Sequence, residues 1–97
     1  MKLLWTKEAL FKLQEIEKYI AKDNSVTAIN FIDKLISAGE SILDNPEKGR
    51  VVPELSIKNI REIIYKNYRI VYVIKQNQID ILTVFEGHRL LKSGDIS

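Results

Sequence analysis

The most apolar segment of the chain is residues 60–85, where isoleucine, valine and tyrosine recur in three runs separated by short polar stretches. Runs of β-branched and aromatic residues bounded by polar turn residues are typical of β-strands. Lys66-Asn67 predicts a two-residue hairpin turn, because asparagine tolerates the positive φ that such turns require. A short apolar run predicts a further strand at residues 2–5. The three later strands are predicted at about residues 60–65, 68–74 and 79–85.

Between the first strand and Asn45-Pro46, apolar residues recur at helical spacing. Thr6 is suited to cap a helix, since its hydroxyl can accept a hydrogen bond from an amide of the first turn. The pattern predicts a helix over about residues 7–22, a break at Asp23-Asn24-Ser25 and a second helix over about residues 26–43, which the proline ends. The second helix is apolar over a wide arc, so it is expected to contact both the first helix and the sheet. Its two stripes include Ala28, Phe31 and Leu35, and Ile29, Ile32 and Ile36.

The order of these elements predicts an α+β fold with the order β-α-α-β-β-β. An N-terminal strand would be followed by an antiparallel helical hairpin packed on a small, mainly antiparallel sheet. An extended loop over residues 47–59, punctuated by Gly49 and Pro53, connects the helices to the strands. With 97 residues, 45% hydrophobic and 29% charged, the chain is expected to form one globular domain over residues 1–97.

The composition argues against several classes of function. The chain has no cysteine, so a disulfide framework and a thiolate metal site are excluded, and its single histidine, His88, argues against a structural zinc site. No metal or cofactor is therefore expected. No apolar run is long enough to cross a bilayer and no signal peptide is evident, which predicts a cytoplasmic protein without a membrane partner. Motifs for phosphate loops, serine elbows and zinc proteases are missing.

Charge is distributed unevenly along the chain. Residues 1–49 hold seven lysines and arginines against eight acidic residues, whereas residues 50–97 hold eight against five. The strand half therefore carries a net charge of +3, which points to a polyanionic target. The candidate functional side chains lie on or beside the predicted sheet, and they are Arg50, Glu54, Arg61, Arg69, His88 and Arg89.

Two interpretations of these side chains are open. Arg69 can simply form an ion pair with Glu62 or Glu54, and Arg61 has the same partners available, because structural ion pairs outnumber catalytic ones. Alternatively, the cations can serve chemistry, with His88 as a general acid or base, since its pKa lies near neutrality. The neighbouring tyrosines are predicted to be core or sheet-edge residues.

The chain resembles the RelE/ParE superfamily of toxins from type II toxin–antitoxin systems. The features that carry the resemblance occur in the family's order and cover nearly the whole chain: a helical hairpin ending in Asn-Pro, GRVVPEL at 49–55, IRE at 60–62, YRIVY at 68–72 and ILTVFEGHR at 81–89. The resemblance implies the RelE/ParE-like fold and a growth-inhibiting toxin.

The superfamily has two main branches with different activities. RelE-like members are ribosome-dependent mRNA endoribonucleases that need no metal. In that alternative, Glu54, Arg69, His88 and Arg89 would be catalytic, while Arg50 and Arg61 would hold phosphate or orient the acid. Against it, the lysines of the strand before the YR motif are replaced by Ile60, Glu62 and Ile64, and a C-terminal tyrosine is replaced by Leu90-Leu91.

The resemblance is closer to the ParE-like branch, in the even helical hairpin, the GR-x-VPEL run and the modest net charge. It implies poisoning of DNA gyrase by binding, without hydrolysis. In a third interpretation, the protein is an inactive relic or an interaction module. The family also implies a cognate antitoxin from an adjacent gene. A cationic, partly apolar sheet face would suit an acidic or amphipathic antitoxin segment that folds on binding.

Overall fold

The computed structural model describes residues 1–87. It confirms the predicted α+β fold and the order of its elements, and it adds one short strand within the 47–59 loop. The elements are strand β1 (Lys2–Trp5), helix α1 (Lys7–Ala21), helix α2 (Ser25–Glu40), a 3-10 helix (Ser41–Asp44), and strands β2 (Arg50–Val51), β3 (Ile60–Tyr65), β4 (Tyr68–Ile74) and β5 (Gln78–Glu86). The predicted second helix therefore changes to 3-10 geometry in its last turn, before the proline.

The five strands form one sheet in the order β1-β5-β4-β3-β2. Strand β1 runs parallel to β5, whereas all other neighbours are antiparallel, as expected for a mainly antiparallel sheet. The parallel pair requires a long crossover connection, which the helical hairpin begins. Strand β1 thus ties the start of the chain to the last strand that the structure describes.

The helical hairpin covers one face of this sheet. Thr6 caps α1 by accepting a hydrogen bond from the amide of Ala9, and its hydroxyl also donates to the carbonyl of Ile81 in β5. Asn24 caps α2 in the same way. The main core lies between helices and sheet and contains Leu13, Ile32, Leu35, Ile42, Ile70, Tyr72, Ile79 and Ile81, among others. The second stripe predicted on α2 is only partly buried, since 53% of Ile29 is exposed.

A second, smaller core lies on the other face of the sheet. Val52 in the loop after β2 packs against Ile60, Val71 and Phe85, and Leu55 borders this cluster. The loop thus folds back over β3 and β4, and its apolar residues hold it there. This packing brings Glu54, which lies between the two apolar loop residues, over the centre of the sheet.

The hairpin between β3 and β4 forms at Lys66-Asn67, as predicted. The residue that adopts the positive φ is Lys66, at 56°, and the expectation that Asn67 would do so is wrong. The two strands pair in register from Ile60 opposite Val73 to Tyr65 opposite Tyr68. This register decides which charged side chains share a face of the sheet.

Candidate functional site

The β3–β4 hairpin divides the predicted functional arginines between two faces. Arg61 and Glu62 are consecutive residues of a strand, so their side chains point to opposite faces. In the hairpin, Arg69 lies opposite Ile64, which is on the same face as Glu62. Arg69 and Glu62 therefore meet on the loop-covered face, whereas Arg61 lies on the helix-covered face beside Tyr72.

Four charged side chains form a continuous network on the loop-covered face. The Nε of Arg69 donates to Oε1 of Glu62 at 2.6 Å, and its two terminal nitrogens donate to the two carboxylate oxygens of Glu54 at 2.7 and 2.8 Å. The other oxygen of Glu62 accepts from Nε of Arg50 at 2.6 Å. The pairing of Arg50 with Glu62 follows from the β2–β3 register, in which these residues lie opposite each other.

The network is buried in its middle and more exposed at its two ends. Along the order of contacts, the exposed fraction of the side chain is 62% at Arg50, 0% at Glu62, 5% at Arg69 and 18% at Glu54. Arg69 also lies over the ring of Phe85, with 5.0 Å between its guanidinium carbon and the ring centroid. The hydrogen bond to Glu54 raises the pKa of Arg69 above its already high value, against the effect of burial, and Glu62 adds to the increase. Arg69 is therefore a permanent, buried cation.

Within residues 1–87, the two arginines and two glutamates of this network sum to no net charge. The alternative that Arg69 pairs with Glu62 or Glu54 is confirmed, because it pairs with both. Three of the five N–H groups of its guanidinium donate to carboxylates and only 5% of the side chain is exposed, so a phosphate has little access to Arg69.

Arg61 does not join the network, and the expectation that it pairs with Glu54 or Glu62 is wrong. Its Nη1 donates to the carbonyl of Gly49 at 2.9 Å, and its Nη2 lies 3.8 Å from the carboxylate of Glu47. The opposite orientation of neighbouring strand residues is the physical reason. Arg50 and Arg61, proposed together as phosphate ligands, thus lie on opposite faces of the sheet.

A buried tyrosine on the helix-covered face holds the turn that precedes β2, and this role was missed from the sequence. The hydroxyl of Tyr72 donates to the carbonyl of Pro46 at 2.7 Å and accepts from the amide of Gly49 at 3.0 Å. Burial raises the pKa of this hydroxyl. These bonds fasten the turn at residues 46–49 to β4, directly before Arg50. Sequence periodicity identifies Tyr72 as a core residue but does not indicate what its hydroxyl binds.

Two of the predicted catalytic residues, His88 and Arg89, lie outside the described residues. Within residues 1–87, no group of three or more histidine, aspartate and glutamate residues could hold a metal ion. In the same part of the chain, no helix is long and apolar enough to cross a membrane.

A separate acidic group on the sheet gives a testable pH dependence. Asp80 in β5 accepts a hydrogen bond from the side-chain amide of Gln78 and forms an ion pair with Lys75. Both contacts lower the pKa of Asp80, and the Gln78 hydrogen bond has the larger effect. When folding lowers the pKa of a carboxyl, that group stabilises the folded protein at pH values above its pKa in the unfolded chain, which is about 3.9. This stabilisation is lost as the pH falls from there through the folded pKa.

We therefore expect Asp80→Asn to flatten the acid limb of the stability profile. Thermal unfolding from about pH 5 downwards should show the wild-type protein losing more stability than the variant. Gln78→Ala removes the main cause of the lowered pKa, so it should give an intermediate profile. Parallel profiles for wild type and Asp80→Asn would contradict the prediction.

The fold and the GRVVPEL-to-YRIVY series of residues define a small toxin of the RelE/ParE type. The model of the family described as "ParE toxin of type II toxin-antitoxin system, parDE" matches residues 3–91. The candidate toxin Y4kP of Sinorhizobium fredii is 32% identical over 90 residues, which cover 91% of this chain and 90% of the relative. The chain therefore belongs to the ParE toxin family of type II toxin–antitoxin systems.

A solved structure shares the fold. It is titled "Chromosomal ParDE TA system from P. aeruginosa", and one of its chains superposes with a TM-score of 0.76. The match covers 89% of this chain and 95% of the other, at 18% sequence identity. Membership of a toxin–antitoxin family implies an antitoxin as partner of this chain.

Proposed function

We propose that this toxin inhibits DNA gyrase by binding it, as a ParE-like poison without hydrolytic activity. A nuclease of the RelE type needs a cation that is free to stabilise the charge on a scissile phosphate. Arg69, which the sequence resemblance gives this role, is 4% exposed and is held by two carboxylates. This observation carries the proposal, because an arginine so held supports the loop and strands instead of receiving a substrate.

The rival activity, ribosome-dependent cleavage of mRNA, also has one observation in its favour. Two of its four predicted catalytic residues, Glu54 and Arg69, are in direct contact. In that function the contact would have to open when RNA binds, so that the acid and the cation could act separately. Opening would leave a buried charge without one of its partners, which is costly. We therefore favour the gyrase poison.

The proposed partner is a cognate antitoxin, encoded by the adjacent gene, with an acidic or amphipathic segment that orders on binding. Gyrase and the antitoxin both act in the bacterial cytoplasm, so the proposal places this toxin there.

The proposal can be tested with two assays of the purified protein. We expect it to inhibit supercoiling by DNA gyrase and to stabilise cleaved DNA complexes, and we expect mRNA on programmed ribosomes to remain intact. His88→Ala is the discriminating variant, since it should inhibit gyrase as the wild type does. Cleavage of mRNA by the wild type, lost in both His88→Ala and Glu54→Gln, would instead establish the nuclease. A folded protein without effect in either assay would favour the inactive relic.

A further inference from the structure

A cleft that the proposed activity does not use lies at the far end of the sheet from the β3–β4 turn. It has a volume of about 560 Å³ and is lined by Met1, Pro46, Glu47, Lys58, Asn59, Arg61 and Ile74. Its walls are mainly apolar. A volume of this size is typical of binding sites for small molecules and for one or two anchoring side chains of a peptide.

Arg61 gives this cleft its specific chemistry. Its Nη1 is fully used by backbone carbonyls, since it bonds Gly49 at 2.9 Å and lies 3.5 Å from the carbonyl of Glu47. In contrast, its Nε is buried and has no hydrogen-bond partner among residues 1–87. Its Nη2 has the 3.8 Å contact with the Glu47 carboxylate, which is longer than a hydrogen bond. The Nε–Nη2 edge is therefore an incompletely bonded pair of parallel donors.

That edge of a guanidinium is suited to a carboxylate, because two parallel N–H groups match its two oxygens. Glu47 is a weak competitor for this position, since 76% of its side chain is exposed and its contact is long. Lys58, an exposed lysine on the rim, adds a second positive charge. The charged side chains of the lining, Arg61, Lys58 and Glu47, sum to +1, whereas the network on the other face sums to zero over residues 1–87.

We infer that this cleft binds a segment of the antitoxin that inserts an apolar side chain and places an aspartate or glutamate on Arg61. The inference rests on the antitoxin partner of the proposed function. The apolar walls take the side chain, and the carboxylate takes the Nε–Nη2 edge once Arg61 releases Glu47 and turns this edge, whose Nε is buried in the free chain, towards the cleft. The acidic, amphipathic segment expected from the sequence then docks at the end of the helix-covered face, away from Arg50 and Arg69.

The test uses this chain and the full-length product of the neighbouring gene, purified separately and titrated by calorimetry at physiological salt. Lys58→Glu reverses an exposed charge on the rim and should weaken binding by about tenfold. Arg61→Lys keeps the charge but loses the planar pair of donors, so it should weaken binding at least as much. Lys34→Glu reverses an exposed lysine on α2, outside the cleft, and should leave the affinity within about threefold of wild type.

A direct readout comes from the Nε–H resonance of Arg61 in ¹⁵N spectra, which should move on complex formation as the nitrogen gains an acceptor. Circular dichroism of each free variant checks its fold, and Lys58→Glu keeps the test valid even if Arg61→Lys is destabilised. Unchanged affinity in both cleft variants, with an unmoved Arg61 resonance, would overturn the cleft proposal alone.

Other outcomes separate the cleft from the function. If the wild-type chain does not bind the neighbouring gene product, the proposed partner fails and the cleft proposal falls with it. If the free chain is dimeric and Lys58→Glu makes it monomeric without affecting antitoxin binding, the occupant is a second copy of this chain, and the antitoxin assignment is wrong.

Discussion

Replacing Glu62 with glutamine is expected to lower the free energy of unfolding by about 3 kcal/mol, because it removes one charge from a buried ion pair and leaves the other. The Glu62 side chain is completely buried and bridges Arg50 and Arg69. Arg69 keeps Glu54 as a partner, but its Nε would then face a neutral amide. Urea unfolding followed by circular dichroism measures the loss.

The exposed end of the same network supplies the matched control. Arg50→Gln removes a partner of the same carboxylate, but 62% of the Arg50 side chain is in solvent. Exposed ion pairs contribute at most about 1 kcal/mol, so this variant should remain close to wild type. Equal losses for Arg50→Gln and Glu62→Gln would contradict the idea that burial makes the network important.

A double replacement tests whether the network serves stability at all. Buried ion pairs replaced by apolar residues of similar size are often as stable as the original. We expect Glu62→Leu combined with Arg69→Met to recover much of the stability that Glu62→Gln loses. If the double variant is stable and still inhibits gyrase, the charges at these two positions are dispensable for the activity, which would further weaken the nuclease interpretation.

Much of this fold could be predicted from the sequence because its strands and helices have clean periodicity. The three later strands and both helices were predicted within a few residues, since Thr6, Asn24 and Pro46 mark the helix boundaries. Strand β2 was missed because two residues are too few to carry a pattern. Its pairing with β3 depends on the loop folding back, which is decided by tertiary packing of Val52.

The candidate site was predicted only in part. Arg69 and Glu54 were correctly proposed as possible partners. The separation of Arg61 from Arg69 could have been derived, because a two-residue turn at Lys66-Asn67 puts positions 61 and 69 on opposite faces. The contact of Arg61 with the turn at residues 47–49 could not have been derived from the sequence, since it depends on how Tyr72 holds that turn.

The hydrogen bonds that hold the turn at residues 46–49 against Tyr72 predict a second large loss of stability, from substitution at Gly49. A Cβ added to Gly49 would lie 2.5 Å from the Tyr72 hydroxyl and 2.6 Å from the backbone carbonyl oxygen of Glu62. Strand β3 lies between β2 and β4, so the Glu62 backbone cannot retreat. We therefore expect Gly49→Ala to push the turn and β2 outward and to lower the free energy of unfolding by about 2–3 kcal/mol.

Gly39→Ala is the informative comparison, because its added Cβ would also be crowded, at 2.6 Å from the ring of Trp5. Here the obstacle is a side chain on an edge strand, which can shift. Alanine also favours a helix by about 1 kcal/mol over glycine, which offsets part of the strain. Gly39→Ala should therefore cost clearly less than Gly49→Ala in urea unfolding.

Amide hydrogen exchange adds a local measurement. In Gly49→Ala, the amide at position 49 should exchange faster than in wild type, since displacement breaks its bond to Tyr72, and the amides of β1 and β5 should keep their relative protection. Tyr72→Phe removes the same bond without the clash and should cost about 1 kcal/mol. Unchanged stability and protection in Gly49→Ala would mean that the turn moves independently of the sheet. The turn could then not hold Arg50 against Glu62, and the ion-pair network would have to rest on the loop around Glu54 alone.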